Sequence, residues 1–397
     1  MHLSNRQLFL QHVAQTSPAP IGLEIVSAEG VYLIASNGEK YIDLISGISV
    51  SNIGHCHPEV VEAIKKQAET FMHLMVYGEY IQSPQVQLAK ELTDLLPEKL
   101  NTVYFVNSGS EATEGALKLA KRYTGRSEMI SFKNCYHGST HGALSIIGSE
   151  DLKTNYRPLL PDVRNIEFNK EEDLAYITNK TACVIIEVIQ SEAGIIAVKP
   201  SYLKKLRERC NETGTLLIFD EVQTGFGRTG TFFAFEQYKI VPDILLLGKG
   251  MGGGMPIGAF ASSNEIMNVL TNNPVLGHMT TFGGHPVSCA AALANVRVIV
   301  KNKLYERAKN IEKILLEKLK HPKIKEVRAC GALVAVDFGG ETINLKSIEN
   351  CIEAGVITDW FLFNMHSMRI APPLIITDEE LIKACDVIVT SIGHELH

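Results

Sequence analysis

The sequence has a single tryptophan, an aromatic content of 7%, and no C-x-x-C pair among its eight cysteines. The cysteines stand apart, at 56, 135, 183, 210, 289, 330, 351 and 385. Such scatter suggests neither a zinc ribbon nor a disulfide framework, so the thiols read as reduced and the protein as cytoplasmic. No apolar run reaches the roughly 18 residues that span a bilayer. The densest, Cys183 to Ile189, is interrupted by Glu187. Met1 to Leu10 lacks the basic-then-apolar order of a secretory signal. A basic excess is missing too: 38 Lys and Arg face 44 Asp and Glu, a formal charge of −6. Nucleic-acid binders usually carry the opposite sign. Neither nucleic acid nor a membrane is therefore expected as a partner. The chain also has no low-complexity tract, no repeat with a period of about 20–50 residues and no Walker motif.

What is present is an ordinary globular composition, 45% hydrophobic and 21% charged over 397 residues. That length predicts two or three domains. Apolar β-rich runs alternate with helical patterns, the signature of an α/β fold with a mainly parallel sheet. Val31 to Ala35, Asn37-Gly38 and Tyr41 to Ile45 predict a hairpin with a two-residue turn. Helices are expected from Pro58 to Phe71, from Ser83-Pro84 to Leu96, and from Ser201 to Thr213 with Gly214 as its cap. Strands are expected at Val103 to Val106, Met129 to Phe132, Cys183 to Val188, Thr215 to Phe219 and Ile244 to Leu247. The last hundred residues read as one long helix (about Ala290 to Leu319), a strand from Ala332 to Phe338, then helix, short strand and final helix. Thr377-x-x-Glu380 caps that last helix. A change of domain is placed near residue 290.

Three places carry chemistry. Thr215 to Phe219 ends in Asp220-Glu221, and ligands of parallel sheets sit at the carboxyl ends of strands. A carboxylate there meets a ligand or is simply a polar strand end. Ile244 to Leu247 delivers Lys249 into a glycine-rich turn. Partial desolvation would lower its pKa, as a Schiff-base amine requires; the alternatives are a phosphate-binding or surface lysine. Ser108-Gly109-Ser110-Glu111 marks a strand-to-helix junction whose free N–H groups and dipole favour an anion. Ser108-x-x-Glu111 is also a capping box, and both readings can hold.

Gly248-x-Gly250-x-x-Gly253 mimics a dinucleotide fingerprint, but strand-like Met255 to Gly258 follows where a helix should open, and Glu265 comes too early. His55-Cys56-His57 and His137-x-x-x-His141 lack acidic or cysteine partners at metal-ligand spacing, so no metal is expected and these read as turn histidines. A strand-end lysine, a strand-end carboxylate and a phosphate cradle together are what pyridoxal 5′-phosphate requires.

The residues quoted so far lie in longer strings: Gly54-His55-Cys56-His57-Pro58, Asn107 to Ala112, Asp220-Glu221-Val222-Gln223-Thr224-Gly225 through Gly230, Pro242-Asp243-Ile244, Lys249 with Gly252-Gly253-Gly254, Thr280 to Gly284, and Arg369-Ile370-Ala371-Pro372-Pro373-Leu374. From about Gly22 to the C-terminus the chain resembles the class III aminotransferases, which include the ornithine, acetylornithine and 4-aminobutyrate enzymes. The resemblance implies pyridoxal-phosphate fold type I. It implies a mainly parallel seven-stranded large domain over 51–290 and a smaller α+β domain over 291–397, joined by the N-terminal segment 1–50. It also implies a homodimer with shared active sites.

By the same resemblance, Lys249 matches the Schiff-base lysine that also moves the proton, and Asp220 the partner of the pyridine nitrogen. Ser108, Gly109 and Ser110 match the phosphate cradle, and Thr281 the threonine reaching the neighbouring subunit's phosphate. Tyr136 takes the place of the stacking aromatic, and Gln223 that of the contact to the ring's 3′ oxygen. Arg369 matches the arginine that holds the α-carboxylate of glutamate or 2-oxoglutarate, a task suited to its bidentate fork. Glu192 matches the glutamate that pairs with it when an ω-amino donor is bound. Val188 replaces the proline of the family's E-P-x-Q-x-E pattern.

The chain departs from the pattern at Ser139, where those enzymes carry an arginine for the donor's distal carboxylate. A serine is ~1–3 kcal/mol poorer for a buried carboxylate. His137 to Ser145 with Arg157 to Pro161 resembles putrescine aminotransferase, which also lacks that arginine. Ile48 stands where ornithine enzymes have tyrosine, which disfavours ornithine itself. The expected activity is transfer of a terminal amine from an acetylornithine- or ornithine-like donor to 2-oxoglutarate. Diamines such as putrescine and 4-aminobutyrate are alternative donors. An aminomutase or racemase, and a non-catalytic scaffold, are rival readings; Arg369 argues against the former and Lys249 with Asp220 against the latter.

Overall fold

The computed structural model describes residues 3–393. Its largest sheet has seven strands, in the order Thr102–Val106, Gly258–Ser262, Ile244–Leu247, Leu216–Asp220, Thr181–Ile186, Glu128–Phe132, Val163–Ile166. Gly258–Ser262 runs antiparallel to both neighbours, and the other described pairings are parallel. The three central strands Thr181–Ile186, Leu216–Asp220 and Ile244–Leu247 are buried at every position. Their unbroken apolar runs suit a parallel sheet covered on both faces. The strand expected to stop at Phe219 runs one residue further, so Asp220 itself closes it.

Because the parallel strands point the same way, their carboxyl ends share one edge. Asn107, Tyr136, Glu187, Asp220 and Lys249 all follow such ends closely. The reversed strand begins at that edge, which brings Met255 to Ile257 there as well.

A second four-stranded sheet is antiparallel: Glu326–Cys330, Leu333–Asp337, Asn364–Ile370, Asp359–Phe361. The sequence reading saw one strand from Ala332 to Phe338 and one short strand after the next helix. The first is present as Leu333–Asp337, and a turn at Gly331 (φ +60°) pairs it with a further strand, Glu326–Cys330. After the helix Glu341–Glu353 it has three strands, Val356–Ile357, Asp359–Phe361 and Asn364–Ile370. Asn364–Ile370 hides polar residues among apolar ones, so it shows no alternation.

The early hairpin, Tyr32–Ala35 with Lys40–Asp43, pairs in parallel with Val356–Ile357. Its turn has three residues, not two: the Ala35 N–H bonds the Glu39 carbonyl, and Gly38 takes φ +87°. That is the three-residue loop with a left-handed glycine. Val31, Ile42 and Leu44 pack into the same core as Ile311, Leu315, Ile370 and Leu374.

The single long helix expected over 290–319 is two, Pro286–Lys301 and Leu304–Lys318, broken by Lys303 at φ +48°. The first packs on Pro58–Thr70 and Ser83–Leu95, the second on Asp378–Ser391. One straight helix cannot present its apolar stripe to both. Among the described residues no helix is long and apolar enough to cross a membrane.

Candidate active site

At the shared strand edge lies a cavity of about 430 Å³. Ser108, Gly109, Ser110, Tyr136, Glu187, Asp220, Gln223 and Lys249 are among its lining. They come from the ends of five strands and the turns after them, so the sheet's order assembles them.

The helix Gly109–Thr124 opens at one wall. Ser108 Oγ accepts from the Glu111 N–H at 3.2 Å, as expected of a cap. The return half of the box is different. Glu111 reaches past Ser108 to the Asn107 N–H and side-chain amide, both at 2.8 Å. The reason is Asn107's Nδ2, a second donor to the same oxygen, which also ties Asn107 to Thr280 at 2.9 Å. The Ala112 N–H takes the Ser108 carbonyl, while the Gly109 and Ser110 N–H groups are left among the helix's free donors. A Cβ on Gly109 would stand 2.8 Å from Val222 Cγ1. A Cβ on Gly138 (φ +125°) would stand 2.2 Å from Ser110 Oγ. Only glycines allow this close approach.

Opposite the helix, Asp220 is buried with its carboxylate fully engaged. Oδ1 accepts the Val222 N–H at 3.0 Å and Oδ2 meets His137 Nδ1 at 2.7 Å. Burial alone would lower the pKa of His137. The Cys135 sulfur and the Asp220 carboxylate outweigh it, and the imidazole stands well above its usual range. His137 was read as a turn histidine; the structure makes it the partner of Asp220, because the turn after Glu128–Phe132 folds inward. Likewise His55 pairs with Asp43 at 2.8 Å. Among the described residues no histidine, cysteine and carboxylate cluster could hold a metal.

Glu187, just past the end of its own strand, accepts the Tyr136 N–H at 3.1 Å and the Ser191 N–H at 3.3 Å. Its pKa is pushed up to about 7 by burial, with His137 opposing and Asp220 adding to the rise. Lys249 has φ +42°, a conformation that costs about 1–3 kcal/mol. Its Nζ donates to Gln223 Oε1 at 3.0 Å. Burial lowers its pKa, with Glu192 opposing and Arg369 assisting. Gln223 Nε2 is buried without a partner.

Five predicted residues are not in the lining of this cavity. Ser139 sits exposed at its rim, its Oγ 2.9 Å from the Tyr136 hydroxyl and its N–H on Ser110 Oγ at 3.3 Å. Ile48 lies in a left-handed turn, Ser46–Ser49, and is 38% exposed. Thr281 is exposed and outside the lining, next to Thr280, which Asn107 bonds. Glu192 and Arg369 are buried together, with two bonds of 2.8 Å. Arg369 further donates to the Trp360 carbonyl at 2.7 Å, stacks over Phe361 at 4.8 Å and faces Asp359 at 3.0 Å. Sequence reasoning gave no site role to His137, Glu187 or Asp359; Glu187 opens the E-P-x-Q-x-E pattern, the one signal that could have found it, whereas nothing local marks His137 as the partner of Asp220 or Asp359 as that of Arg369.

A desolvated lysine, a strand-end carboxylate and an anion cradle around one cavity define an enzyme that holds pyridoxal 5′-phosphate. The residues fit: Gly109 and Ser110, whose N–H groups are unclaimed, line the cavity, and the orphaned Gln223 amide is a spare donor. The chain belongs to the class III aminotransferase family, whose model, described as "Aminotransferase class-III", matches residues 13–392. It is therefore a transaminase, acting on a small-molecule amino donor and a keto acid, with pyridoxal 5′-phosphate as cofactor. The chain is 42% identical over 390 residues to acetylornithine aminotransferase of Methanocaldococcus jannaschii, covering 93% of this chain and 94% of that one. It is 37% identical over 380 residues to the Archaeoglobus fulgidus acetylornithine aminotransferase, covering 96% and 98%. Ornithine aminotransferase from Toxoplasma gondii superposes with a TM-score of 0.90 at 31% identity, covering 98% of this chain and 95% of that one.

Proposed function

We propose that the enzyme moves the terminal amine of an ω-amino donor, acetylornithine- or ornithine-like, to 2-oxoglutarate, releasing an aldehyde and glutamate. The observation that carries this reading is the Arg369–Glu192 pair, closed at 2.8 Å and close enough to act on Lys249. Closed, it leaves a neutral surface for an amine-bearing chain. Opened, it offers a fork for the α-carboxylate of glutamate or 2-oxoglutarate. The acetylornithine aminotransferase relatives support the donor class.

Pyridoxal 5′-phosphate, when bound, supplies the electron sink. Gly109 and Ser110 would hold its phosphate through free N–H groups and the Ser110 hydroxyl, with Ser108 capping the helix behind them. Asp220, oriented by Val222 and His137, would face the pyridine nitrogen and keep a proton there. Tyr136 would lie against the ring and Gln223 Nε2 would meet its 3′ oxygen. Lys249 Nζ, its pKa lowered by burial, would take the proton from the substrate carbon and return it.

Thr281 would complete the site of a second copy. Exposed Met72, Leu74, Met279 and Phe282, with His73 packed on Phe282 at 4.9 Å, support a homodimer through this surface. The shared core of Val31, Ile42 and Leu44 with the C-terminal residues supports grouping 1–50 with the small domain, while the bend at Lys303 favours a junction there over one near residue 290.

No arginine lines the cavity among the described residues, and Ser139 is tied to Tyr136. That favours, as a second reading, a donor with no distal carboxylate, such as a diamine. Adding N-acetylornithine, ornithine, 4-aminobutyrate, putrescine and glutamate singly to holoenzyme, and following the visible cofactor band, decides. The donor that bleaches the band is the substrate. Failure of glutamate to bleach it overturns the 2-oxoglutarate assignment.

A further inference from the structure

We propose that Asp359 is a specificity-determining residue: paired across the strands with Arg369, it holds the guanidinium by its Nε edge and tempers its grip on a substrate carboxylate. The inference rests on the reading of Arg369 as the carboxylate-binding arginine.

Asp359 and Arg369 are direct cross-strand partners in the antiparallel pair Asp359–Phe361 and Asn364–Ile370. Asp359 Oδ1 stands 3.0 Å from Arg369 Nε, an ion pair without a hydrogen bond, and neither atom has another hydrogen-bond partner among the described residues. The Nη1 and Nη2 edge is taken by Glu192, and Nη2 also by the Trp360 carbonyl at 2.7 Å. One buried arginine thus faces two carboxylates. Glu192 is the one a substrate can replace; besides Arg369 it is held by the Leu362 N–H at 3.1 Å. Asp359 is built into the strand pairing and stays. A carboxylate arriving at the Nη edge therefore meets a fixed fork whose charge is already shared. At an effective dielectric near 20, a unit charge about 7 Å away alters anion binding by about tenfold once solvent screening is allowed for.

The charge on Asp359 is itself labile. Burial pushes its pKa up to about 7, against the pull of Arg369 and with help from Glu192 and Asp43. Asp43 carries His55 at 2.8 Å. The helix Glu341–Glu353, packed on the same strands, buries one titratable group, Cys351, a thiol pushed up to about 11 and hence neutral. Below about pH 7 Asp359 takes a proton, Arg369 loses its second counter-charge, and a carboxylate binds more tightly.

The test is Asp359→Asn, which keeps the size of the side chain and removes the charge. Glutarate, a dicarboxylate with no amine or keto group to react, is titrated calorimetrically into holoenzyme at about pH 6 and about pH 8. Wild type should bind it several-fold more tightly at the lower pH. The variant should bind it about tenfold more tightly than wild type at the higher pH and lose the slope, with the KM of the amine donor unchanged. Asp359→Glu keeps the charge and should keep the slope. Equal glutarate affinities and slopes in Asp359→Asn and wild type overturn the proposal. So does weaker binding by a variant with normal melting and a normal cofactor band. If the asparagine variant does not fold, a flat wild-type slope alone overturns it. Glutarate bound with the expected slope, but glutamate inert, overturns only the 2-oxoglutarate assignment.

Discussion

The cofactor cavity and the Arg369 cluster lie within electrostatic reach of the same lysine, yet they are built on opposite plans. The cavity is made by the ends of parallel strands, with unclaimed donors at Gly109, Ser110 and Gln223. It is open and pre-formed. The Arg369 cluster sits on an antiparallel sheet of the other body and is closed on itself by Glu192, Asp359 and the Trp360 carbonyl. One region offers unmet donors to a ligand; the other must open the Arg369–Glu192 bonds to receive one. The difference suits a cofactor that stays and substrates that alternate.

Neighbours within the first region show the same contrast. Asp220 points into the cavity, whereas Glu221 turns away to take the Ala234 and Phe235 N–H groups and the Thr224 hydroxyl at 2.7 to 2.9 Å. Burial pushes Glu221 up to about 7, with these three bonds pulling it back. Adjacent side chains on a strand face opposite sides of the sheet, so one carboxylate serves a ligand and the next serves the fold.

The comparison is broken most severely by Lys249→Ala. Turnover should fall below detection and the visible band of the cofactor should vanish, while thermal melting stays near wild type. A retained band would remove the cavity from the chemistry. Asp220→Ala should lower kcat by about 100-fold or more, through loss of the charge facing the ring nitrogen. Its neighbour Glu221→Ala should instead cost about 3 kcal/mol of stability by orphaning two buried N–H groups, with kcat nearly unchanged below the melting point. If the two variants trade phenotypes, the assignment of strand faces fails. Arg369→Ala should raise the KM for glutamate by about 50-fold and leave the amine donor's KM within a few-fold. It should also destabilise the protein by about 3 kcal/mol, since Glu192 and Asp359 lose their counter-charge. Equal changes in both KM values would mean that the cluster is structural. The mildest change sharpens the second reading of the donor. Ser139→Arg should improve kcat/KM for a donor with a distal carboxylate by about tenfold and leave putrescine no better. No change for any donor would place Ser139 outside the substrate's reach.

Much of this was legible before the fold was known. Lys249 after four apolar residues and Ser108 before a helical run are local signals, and both stand where the strand-end argument put them. The register of the C-terminal sheet was not legible. Asn364–Ile370 mixes polar and apolar residues without period, and the break at Lys303 depends on which helices each half must cover. His137 and Asp359 were invisible for the same reason. A histidine 83 positions from its aspartate, or an aspartate that meets its arginine only through a strand pairing, leaves no trace in spacing.

The sequence by itself determined the strand-end chemistry, because a lysine, a carboxylate and a helix cap each follow directly from the element that precedes them. The resemblance already paired Glu192 with Arg369; tertiary structure alone brought Asp359 to the same arginine and His137 to Asp220. Glu192, Asp359 and Arg369 come from three separate segments, and only packing brings them close enough, and dry enough, for their charges to govern what the enzyme can bind.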